Sequence, residues 1–316
     1  MRAGFLILCS GEAPLLEHSL PAAVAEGFDE GLVIDNASGD ATPQIVQRHG
    51  VEVLALPRRA AYNEAMNAGL ARISADATAL LQADTFVAPG YREACLGALS
   101  DPRVGSVAPK LLRATGPEPP DRLPLIDAAG MTVDRRHKNG LIGHGRPGDE
   151  YAVSSEAFGA DGAAAVYRRE ALEECVIDGE VFDENMPGWG CDADLAWRAR
   201  LLGWRSRYEP GAVVHHIRTY SPTTRAHMGA SDRRAQFRNR YLMIAKNDSL
   251  ADLLRDALPL LAYELLALGY AVLREPELLG GYADAARRLP GALRRRRVIQ
   301  ARRRVGRVPF GMAPPR

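Results

Sequence analysis

The chain has 316 residues, of which 47% are apolar and 25% charged, the composition of an ordinary globular protein with a full-sized core. Its net charge of +1 hides an asymmetry, because eleven arginines and no acidic residue follow from Arg287 onward, so residues 1–286 carry about −10. The four cysteines are scattered without CxxC spacing, which excludes a disulfide framework and a zinc finger and favours reduced intracellular thiols.

The first third of the chain alternates short apolar runs with segments of helical periodicity. The first run, GFLILC at residues 4–9, favours a buried strand over a signal peptide because it is short and lacks a small-x-small cleavage site. Further apolar runs lie at residues 31–34, 51–56 and 77–81, with helical segments between them. This alternation predicts an α/β fold, with a mostly parallel, Rossmann-like sheet covered by helices on both faces.

Polar residues fall at the predicted carboxyl ends of these strands, where such sheets bind their ligands. The first strand ends at Ser10, the second at Asp35 and Asn36, and the fourth at Gln82 and Asp84. Asp84 at a strand end is a candidate ligand for a divalent ion, since hard cations take oxygen ligands. The structural alternative is that Asp84 caps the next turn.

Asp35 and Asp40 in VIDNASGDAT have two interpretations of equal weight. An aspartate just past a buried strand is able to accept hydrogen bonds from a base or a ribose. Alternatively the segment is a turn in which Asp40 or Thr42 begins the helix at Pro43. The residue types and spacing leave this choice open.

Residues 114–156 are rich in Gly, Pro and charge and predict a long loop region with one hairpin around LIDAAGMTVDRR. Loops of this length in a compact domain are usually functional. The following FGADGAAAVYRREALEE indicates a strand of small residues that leads into a helix.

The stretch GWGCDADLAWRARLLGWRSRYEPGAVVHH places two aspartates in the first turn of a predicted helix and two histidines at the end of a strand. Pairing with Arg198 at i,i+4 and the helix dipole account for Asp194 structurally. The helix dipole accounts for Asp192 only in part. The preceding loop NMPGWG is able to open onto a cleft, so Asp192 is also a candidate site residue. Strand alternation sends His215 and His216 to opposite faces, so at most one of them faces a given site.

From about Ser231 the chain becomes helical and then arginine-rich. The apolar stretch from Ala257, interrupted by Pro259 and Glu264, is short for a membrane span. One interpretation is a set of helices lying on an anionic membrane surface, with the arginine-rich tail as the anchor. The other is a helical appendage packed on the rest of the chain. Nucleic acid is disfavoured as a partner, because the tail offers a single aromatic ring, Phe310.

The order and spacing of these motifs resemble the inverting glycosyltransferases of family two, which have a GT-A fold. The resemblance covers roughly residues 4–300 and is strongest to the bacterial rhamnosyltransferase-like branch that builds cell-surface polysaccharides. It rests on five segments in the expected order: VIDNASGDAT, LLQADTFVAPGY, FGADGAAAVYRREALEE, FDENMPGWGCDADLAWRARLLGWRSRYEPGAVVHH and FRNRYLMIAKND. It implies a glycosyltransferase domain over residues 1–230 and a helical, arginine-rich extension over 231–316.

The resemblance also implies a role for each candidate residue. Asp192 stands at the catalytic-base position, and Asp84 and His216 stand where the family binds a divalent cation, Mg²⁺ or Mn²⁺. The implied contacts to the nucleotide-sugar donor are Ser10, Asp35, Asn36, Asp40, Asn67, Gln82 and Asp84. The implied acceptor side is formed by Asp161, Gly162, Trp189 and Asp194.

By the same resemblance the donor is a nucleoside-diphosphate sugar, with rhamnose as one candidate, and the acceptor is a cell-surface glycan or a lipid-linked molecule. The expected location is the cytoplasm or the inner face of the cell membrane. Two departures put activity in question: Gln82 replaces the first acid of the DxD motif, and Cys191 replaces a glutamate beside the base. They are the support for the alternative of a catalytically impaired protein that binds nucleotide sugars as a partner or regulator. A nucleotidyltransferase is disfavoured, since SGEAPLLE after the first strand is acidic and lacks Lys and Arg.

Overall fold

The structure is a computed structural model that describes residues 1–220 and 224–312. Its strands are β1 (Ala3–Cys9), β2 (Glu30–Asp35), β3 (Glu52–Ala55), β4 (Ala77–Gln82), β5 (Thr85–Val87), β6 (Val104–Ala114), β7 (Arg122–Ala128), β8 (Met131–Val133), β9 (Asn139–Leu141), β10 (Ser155–Ala157), β11 (Ala164–Arg168) and β12 (Arg205–His216). Its α-helices are α1 (Ala13–Ala25), α2 (Thr42–Arg48), α3 (Tyr62–Leu70), α4 (Tyr91–Ala98), α5 (Arg169–Glu174), α6 (Cys191–Leu201), α7 (Ala230–Asn247), α8 (Leu250–Arg255), α9 (Ala257–Leu273) and α10 (Leu279–Arg302).

One large mixed sheet runs in the order β10-β12-β6-β11-β4-β1-β2-β3. The quartet β4-β1-β2-β3 is parallel, and Ile7 in β1 lies in register with Val33 of β2 and Leu81 of β4. β11 then runs antiparallel between β4 and β6, and β12 runs parallel to β6. The predicted α/β sheet with flanking helices is confirmed.

The hydrophobic core lies on both faces of this sheet because side chains alternate along each buried strand. Ile7 packs on one face with Leu16 of α1, while Leu6 packs on the other with Met66 of α3. All four side chains are fully buried. Burial of a side chain of this size stabilises the fold by about 1.5–3 kcal/mol relative to exposure. The sheet is therefore a rigid platform for whatever its strand ends carry.

A hairpin lies at the second half of LIDAAGMTVDRR, as predicted, while the first half of the segment belongs to the large sheet. β7 pairs with β6 at the sheet edge, and β8 pairs with β9 in a separate two-stranded sheet. Gly130 separates β7 from β8 with a φ of +86°, and a Cβ there would meet Ala157 at 2.7 Å. The chain turns away from β6 at this glycine, which a sequence pattern of apolar residues did not reveal.

The C-terminal helices share a core with the helix that carries the two aspartates. Trp197 of α6 belongs to the same buried cluster as Leu242 of α7 and Ala292 and Ile299 of α10. The division of the chain at residue 230 remains a prediction. None of the helices within the described residues is long and apolar enough to cross a membrane.

Many of the C-terminal arginines are occupied by acidic groups of the chain itself. Arg295 lies 2.9 Å from Glu180 and 3.2 Å from Asp183, and Arg304 lies 2.8 Å from Glu174. Acidic groups of the same chain thus neutralise part of this basic segment. Arg316, which was counted in the tail, lies outside the described residues.

Candidate active site

Asp84 and His216 are brought together by strand pairing. β5 begins directly after Asp84 and runs antiparallel to the end of β12, so that Thr85 lies in register with His216. The Nε2 atom of His216 lies 3.7 Å from Oδ1 of Asp84. Residues that are 132 positions apart in the sequence therefore share one corner of the sheet. His215 is partly exposed and His216 is buried, in agreement with the predicted alternation.

Asp127, at the end of β7, holds the ring of His216. Its Oδ2 atom lies 2.8 Å from Nδ1 of His216, and because a carboxylate only accepts, Nδ1 carries the proton and donates it. Burial lowers the pKa of His216, but the hydrogen bond with Asp127 and the nearby Asp84 outweigh it and raise the pKa to about 9. The Nε2 atom is thereby directed at Asp84.

Arg218 links this corner to the predicted acceptor side. Its Nε atom donates to both carboxylate oxygens of Asp127 at 2.7 and 2.8 Å, and its NH2 group donates to Oδ2 of Asp161 at 2.9 Å. Burial lowers the pKa of Arg218, but Asp161 and Asp127 outweigh it and raise the pKa. The guanidinium is thus a charged bridge between the histidine support and the loop before β11.

Asp192 is the second residue of α6, which begins directly after Gly190, whose φ is +82°. Its Oδ2 atom accepts a hydrogen bond from the Gly162 N–H at 3.2 Å, and its Oδ1 accepts from the Ala193 N–H at 2.8 Å. Burial and the neighbouring Asp161 raise the pKa of Asp192 to about 6, against the opposing hydrogen bonds and Arg218. A carboxylate with this pKa is ionised at neutral pH and remains able to take up a proton.

Gly162 connects the two halves of the site. Its carbonyl accepts the hydroxyl of Tyr62 at 3.1 Å and the amide of Gln82 at 3.5 Å, while its N–H binds Asp192. Gln82 lies two residues before Asp84 in the chain. The predicted metal residue and the predicted base are therefore linked through a single turn.

The predicted donor residues at the ends of β1 and β2 also lie together. The amide of Asn36 donates to Oγ of Ser10 at 3.0 Å and to the carbonyl of Ala60 at 3.0 Å. Asp35 is 7% exposed, and its Oδ1 accepts from the N–H of Ser38 at 3.0 Å. This neighbourhood forms a polar floor beside β4.

Two of the predicted donor contacts, Asp40 and Asn67, have structural partners instead. Asp40 joins two helix starts, accepting from Ala13 N–H at 3.1 Å and from Thr42 N–H and Oγ1 at 3.0 and 2.6 Å. Burial raises its pKa, but the bonds from Thr42 outweigh it and lower the pKa to about 2. Asn67 binds the backbone of Phe182 at both ends of its amide.

Asp194 does not face the acceptor side, which corrects that prediction. Its side chain is fully buried and lies 2.9 Å from Arg198, 2.8 Å from Lys246 and 2.7 Å from the amide of Asn247. The i,i+4 pairing with Arg198 is the structural account that the sequence already offered. Asp194 therefore anchors α6 to α7.

The remaining predicted positions flank Asp192. The Nε1 atom of Trp189 donates to Asp232 at 3.3 Å, and its ring lies 6.0 Å from that of Tyr220. Cys191 is 7% exposed, and burial raises the pKa of its thiol well above its usual range. The cysteine is a core residue here and supplies no charge beside the base.

Two residues of this site, Asp127 and Arg218, are not predicted by any sequence motif. The sequence signal for Asp127 is that it stands as the one acid in the apolar run LPLIDAA. Because a carboxylate is costly to bury without a partner, such a position indicates a buried partner elsewhere in the chain. Arg218 follows the two histidines directly, but no local pattern shows that it would reach two carboxylates from different loops. Both residues become visible only when β7 and β12 are placed on opposite sides of β6.

A divalent cation fits the pair formed by Asp84 and His216. Oδ1 of Asp84 is buried without a hydrogen-bond partner and faces Nε2 of His216, while Asp127 supports that ring from behind. Carboxylate support behind a histidine is the usual arrangement around a metal. Within residues 1–220 and 224–312 no group of three His, Cys, Asp or Glu residues is placed to hold a metal. The remaining ligands would have to come from a bound molecule.

Comparison with known proteins agrees with this architecture. The model of glycosyl transferase family 2 matches residues 5–176. Two pre-mycofactocin glycosyltransferases, from Mycobacterium tuberculosis strains CDC 1551 and H37Rv, are each 32% identical over 166 residues, which cover 52% of this chain and 32% of the relative. The chain thus matches about a third of the length of these curated relatives.

Solved structures show the same fold at low sequence identity. GalNAc-T7 with UDP, GalNAc and Mn²⁺ is 15% identical, with a TM-score of 0.62 over 78% of this chain and 48% of its own. The mannosyltransferase PcManGT from Pyrobaculum calidifontis, in complex with GDP-Man and Mn²⁺, is 18% identical, with a TM-score of 0.55 over 95% and 85%. S. aureus TarS 1–349 with UDP-GlcNAc is 14% identical, with a TM-score of 0.59 over 95% and 88%. The predicted GT-A type fold is confirmed.

Proposed function

The chain belongs to glycosyl transferase family 2, and from that premise we propose that it transfers a sugar from a nucleoside-diphosphate donor to a hydroxyl of an acceptor, with inversion at the anomeric carbon. One observation carries the proposal. Through Gln82 and the Gly162 turn, the corner that holds Asp84 and His216 is connected to Asp192, a carboxylate whose pKa is raised to about 6.

In this mechanism Asp192 is the general base. The attacking hydroxyl must lose a proton as it bonds to the anomeric carbon, and a positioned carboxylate contributes about 10²–10⁴-fold to such a step. The N–H groups of Gly162 and Ala193 fix the orientation of Asp192, and Asp161 helps to keep its pKa high. Attack from the face opposite the leaving diphosphate inverts the configuration in a single displacement.

The departing diphosphate develops negative charge at the other side of the site. Asp84 and His216 would hold the divalent cation, Mg²⁺ or Mn²⁺, which when bound supplies Lewis-acid stabilisation of that charge. Asp127 keeps Nδ1 of His216 protonated, and Nε2, which carries a proton at neutral pH because the pKa is about 9, must release that proton when the cation binds. Two of the similar structures contain Mn²⁺ beside a nucleotide or nucleotide sugar, which supports this assignment.

The donor floor in this proposal is formed by Ser10, Asp35 and Asn36, with Gln82 beside it. Gln82 supplies no charge, but its amide reaches the Gly162 carbonyl, a task that an ionised carboxylate is unable to perform. This gives the departure from the DxD pattern a structural role. It weighs against the alternative of an impaired nucleotide-sugar-binding protein, to which Cys191 still lends support.

The proposal extends to the substrates, the domain bounds and the cellular location of the protein. We keep rhamnose as the candidate sugar and a cell-surface glycan or lipid-linked molecule as the acceptor. Residues 1–230 form the transferase domain in this proposal, and 231–316 form the extension. The four cysteines are free and buried, which suits a reducing compartment such as the cytoplasm.

A thermal-shift screen of nucleotide sugars with Mg²⁺, with Mn²⁺ and with EDTA tests the proposal. A ligand that binds the folded protein at 100 times its Kd raises its stability by about 2.7 kcal/mol, so the preferred donor should stand out, and only with metal present. Donor hydrolysis is then measured with that sugar. Stabilisation without any hydrolysis or transfer would favour the impaired alternative, and no stabilisation by any nucleotide sugar would refute both.

A further inference from the structure

The helix α9 is built with its apolar side facing solvent. Leu258, Leu261, Leu265, Leu266 and Leu273 are 59–81% exposed. At 100° per residue these leucines fall on one stripe, and no charged residue lies within it. An ordinary surface helix has the opposite arrangement.

The single charged residue of α9 faces inward. Glu264 accepts hydrogen bonds from Arg240 at 2.6 Å and from the hydroxyl of Tyr241 at 2.5 Å, both on α7. Of the seventeen residues only Leu260 and Ala271 are buried. The protein therefore anchors α9 by its polar side and leaves the leucines uncovered, although each would gain about 1.5–3 kcal/mol from burial.

Basic side chains lie at the beginning of this helix. Arg135, Arg255 and Arg307 line an open cavity of about 540 Å³ together with Pro309 and Phe310. Arg255 ends α8, two residues before α9 begins, and Leu254 beside it is 68% exposed. Among the described residues Arg307 has no ion-pair partner. Arg135 pairs with Asp256 at 2.7 Å, and Arg255 pairs with Asp252 at 2.6 Å and with Asp256, so within the described chain Arg307 is the one of these three arginines left to bind an anion beside the apolar stripe.

More cations flank the middle of α9. The guanidinium of Arg136 lies 5.5 Å from the ring centre of Tyr263, and the ammonium of Lys138 lies 5.8 Å from it. Both side chains are exposed. Arg136 also pairs with Asp134 at 2.6 Å, so in the described part of the chain Lys138 is the one of these two cations that keeps an uncompensated charge beside Tyr263.

We propose that α9 docks the protein on a lipid bilayer that contains anionic lipids. The helix lies in the plane of the surface with its leucines at the acyl boundary, and the arginine cavity receives lipid phosphates. Seventeen residues give a helix about 25 Å long, which suits a position along the surface. This assigns the contact to α9 and to Arg307, the cavity arginine without an ion-pair partner among the described residues, rather than to the C-terminal arginines that pair with acidic groups of the chain.

A second copy of the chain fits this face less well. Self-association through α9 would bring two copies of Arg307 and of Lys138 toward one interface, where like charges repel. The inference stands without the transferase activity proposed above. If both hold, docking would place the active site near a lipid-linked acceptor.

The test is co-sedimentation of the full chain with vesicles of phosphatidylcholine, with and without phosphatidylglycerol. We expect binding to the anionic vesicles that weakens with salt. Leu261→Ser with Leu265→Ser should lower the partition coefficient at least about tenfold, since two leucine side chains no longer enter the bilayer. Val153→Ser is the matched control, because Val153 is 60% exposed and lies outside α8 and α9.

The cationic part is tested separately. Arg307→Gln should weaken binding to the anionic vesicles about fivefold, the usual effect of one cation near such a surface. Arg48→Gln changes the charge equally at an exposed position on α2 and should have no effect. Circular dichroism and melting temperature check that all variants are folded.

Absence of binding to every vesicle would overturn the proposal. So would a dimer in light scattering that the double leucine variant dissociates, because a second copy would then be the occupant. Neither outcome bears on donor binding, which is measured by thermal shift in the absence of lipid.

Discussion

Asp192 and Asp194 lie two positions apart in the first turn of α6, and their carboxylates have opposite environments. Asp192 binds two backbone N–H groups and has a pKa raised to about 6, chiefly by burial and then by Asp161. Burial also raises the pKa of Asp194, but Lys246 and Arg198 outweigh it and lower the pKa. One helix turn therefore carries one carboxylate with a raised pKa and one that is fixed in an ion-pair network.

Asp192→Asn should abolish transfer, with a loss of about 10²–10⁴-fold or more in kcat, because an amide is unable to accept the proton. Donor binding should survive, since Asp192 does not belong to the donor floor. Turnover and donor thermal shift are measured on the same preparation. Near-normal turnover in this variant would remove Asp192 from the base position.

Asp194→Asn should show the reverse pattern. Breaking a buried ion pair costs about 3–5 kcal/mol, because Lys246 and Arg198 are left without their shared partner. Urea unfolding should therefore show a large loss of stability, while the donor-induced thermal shift persists. A stable Asp194→Asn variant without activity would instead place Asp194 at the acceptor.

The raised pKa of Asp192 predicts the acid limb of the pH profile. Below about pH 6 the base becomes protonated, so kcat/KM should fall about tenfold per pH unit there rather than near pH 4. Asp161→Asn removes a charge that raises this pKa, and the limb should move to lower pH. A limb that stays in place would show that Asp161 does not act on the base.

The same pKa makes a prediction about stability. Because the folded-state pKa of Asp192 is raised from 3.8, the contribution of Asp192 to the free energy of unfolding is present at low pH and is lost as the pH rises to about 6. Asp192→Asn avoids this loss, so its stability relative to the unsubstituted chain should increase between pH 4 and 6 and then level off. Urea unfolding at several pH values measures the difference.

Asp127→Asn tests the support behind His216. An amide holds the ring less firmly and favours the wrong tautomer, so the affinity for Mn²⁺ should fall by about 10–100-fold. Metal titration of the donor-induced thermal shift gives this affinity. Asp84→Ala, which removes a direct ligand, should weaken the metal at least as strongly, and an unchanged metal requirement in Asp84→Ala would exclude Asp84 from the cation.

The sequence predicted the parallel strands and the polar residues at their ends because burial and periodicity are local properties. The family resemblance predicted that Asp84 and His216 lie in one site. The pairing of β5 with β12 is the physical reason that they are close. Asp127 and Arg218 were missed because their meaning depends on which strands become neighbours. Asp194 and Asn67 were assigned to ligands because a sequence does not show that Lys246 or Phe182 will satisfy them first.

The pairing of β11 with β4 has a consequence for how this chain tolerates change. Ala164 lies opposite Leu81, and the N–H of Gln82 donates to the carbonyl of Ala163 at 3.1 Å, so the position of Gly162 depends on that alignment. Inserting one residue at the start of β11 would shift the alignment and turn every following side chain to the other face of the sheet. Lineages of this protein should therefore accept length changes in the surface loops but not between Gly162 and β11.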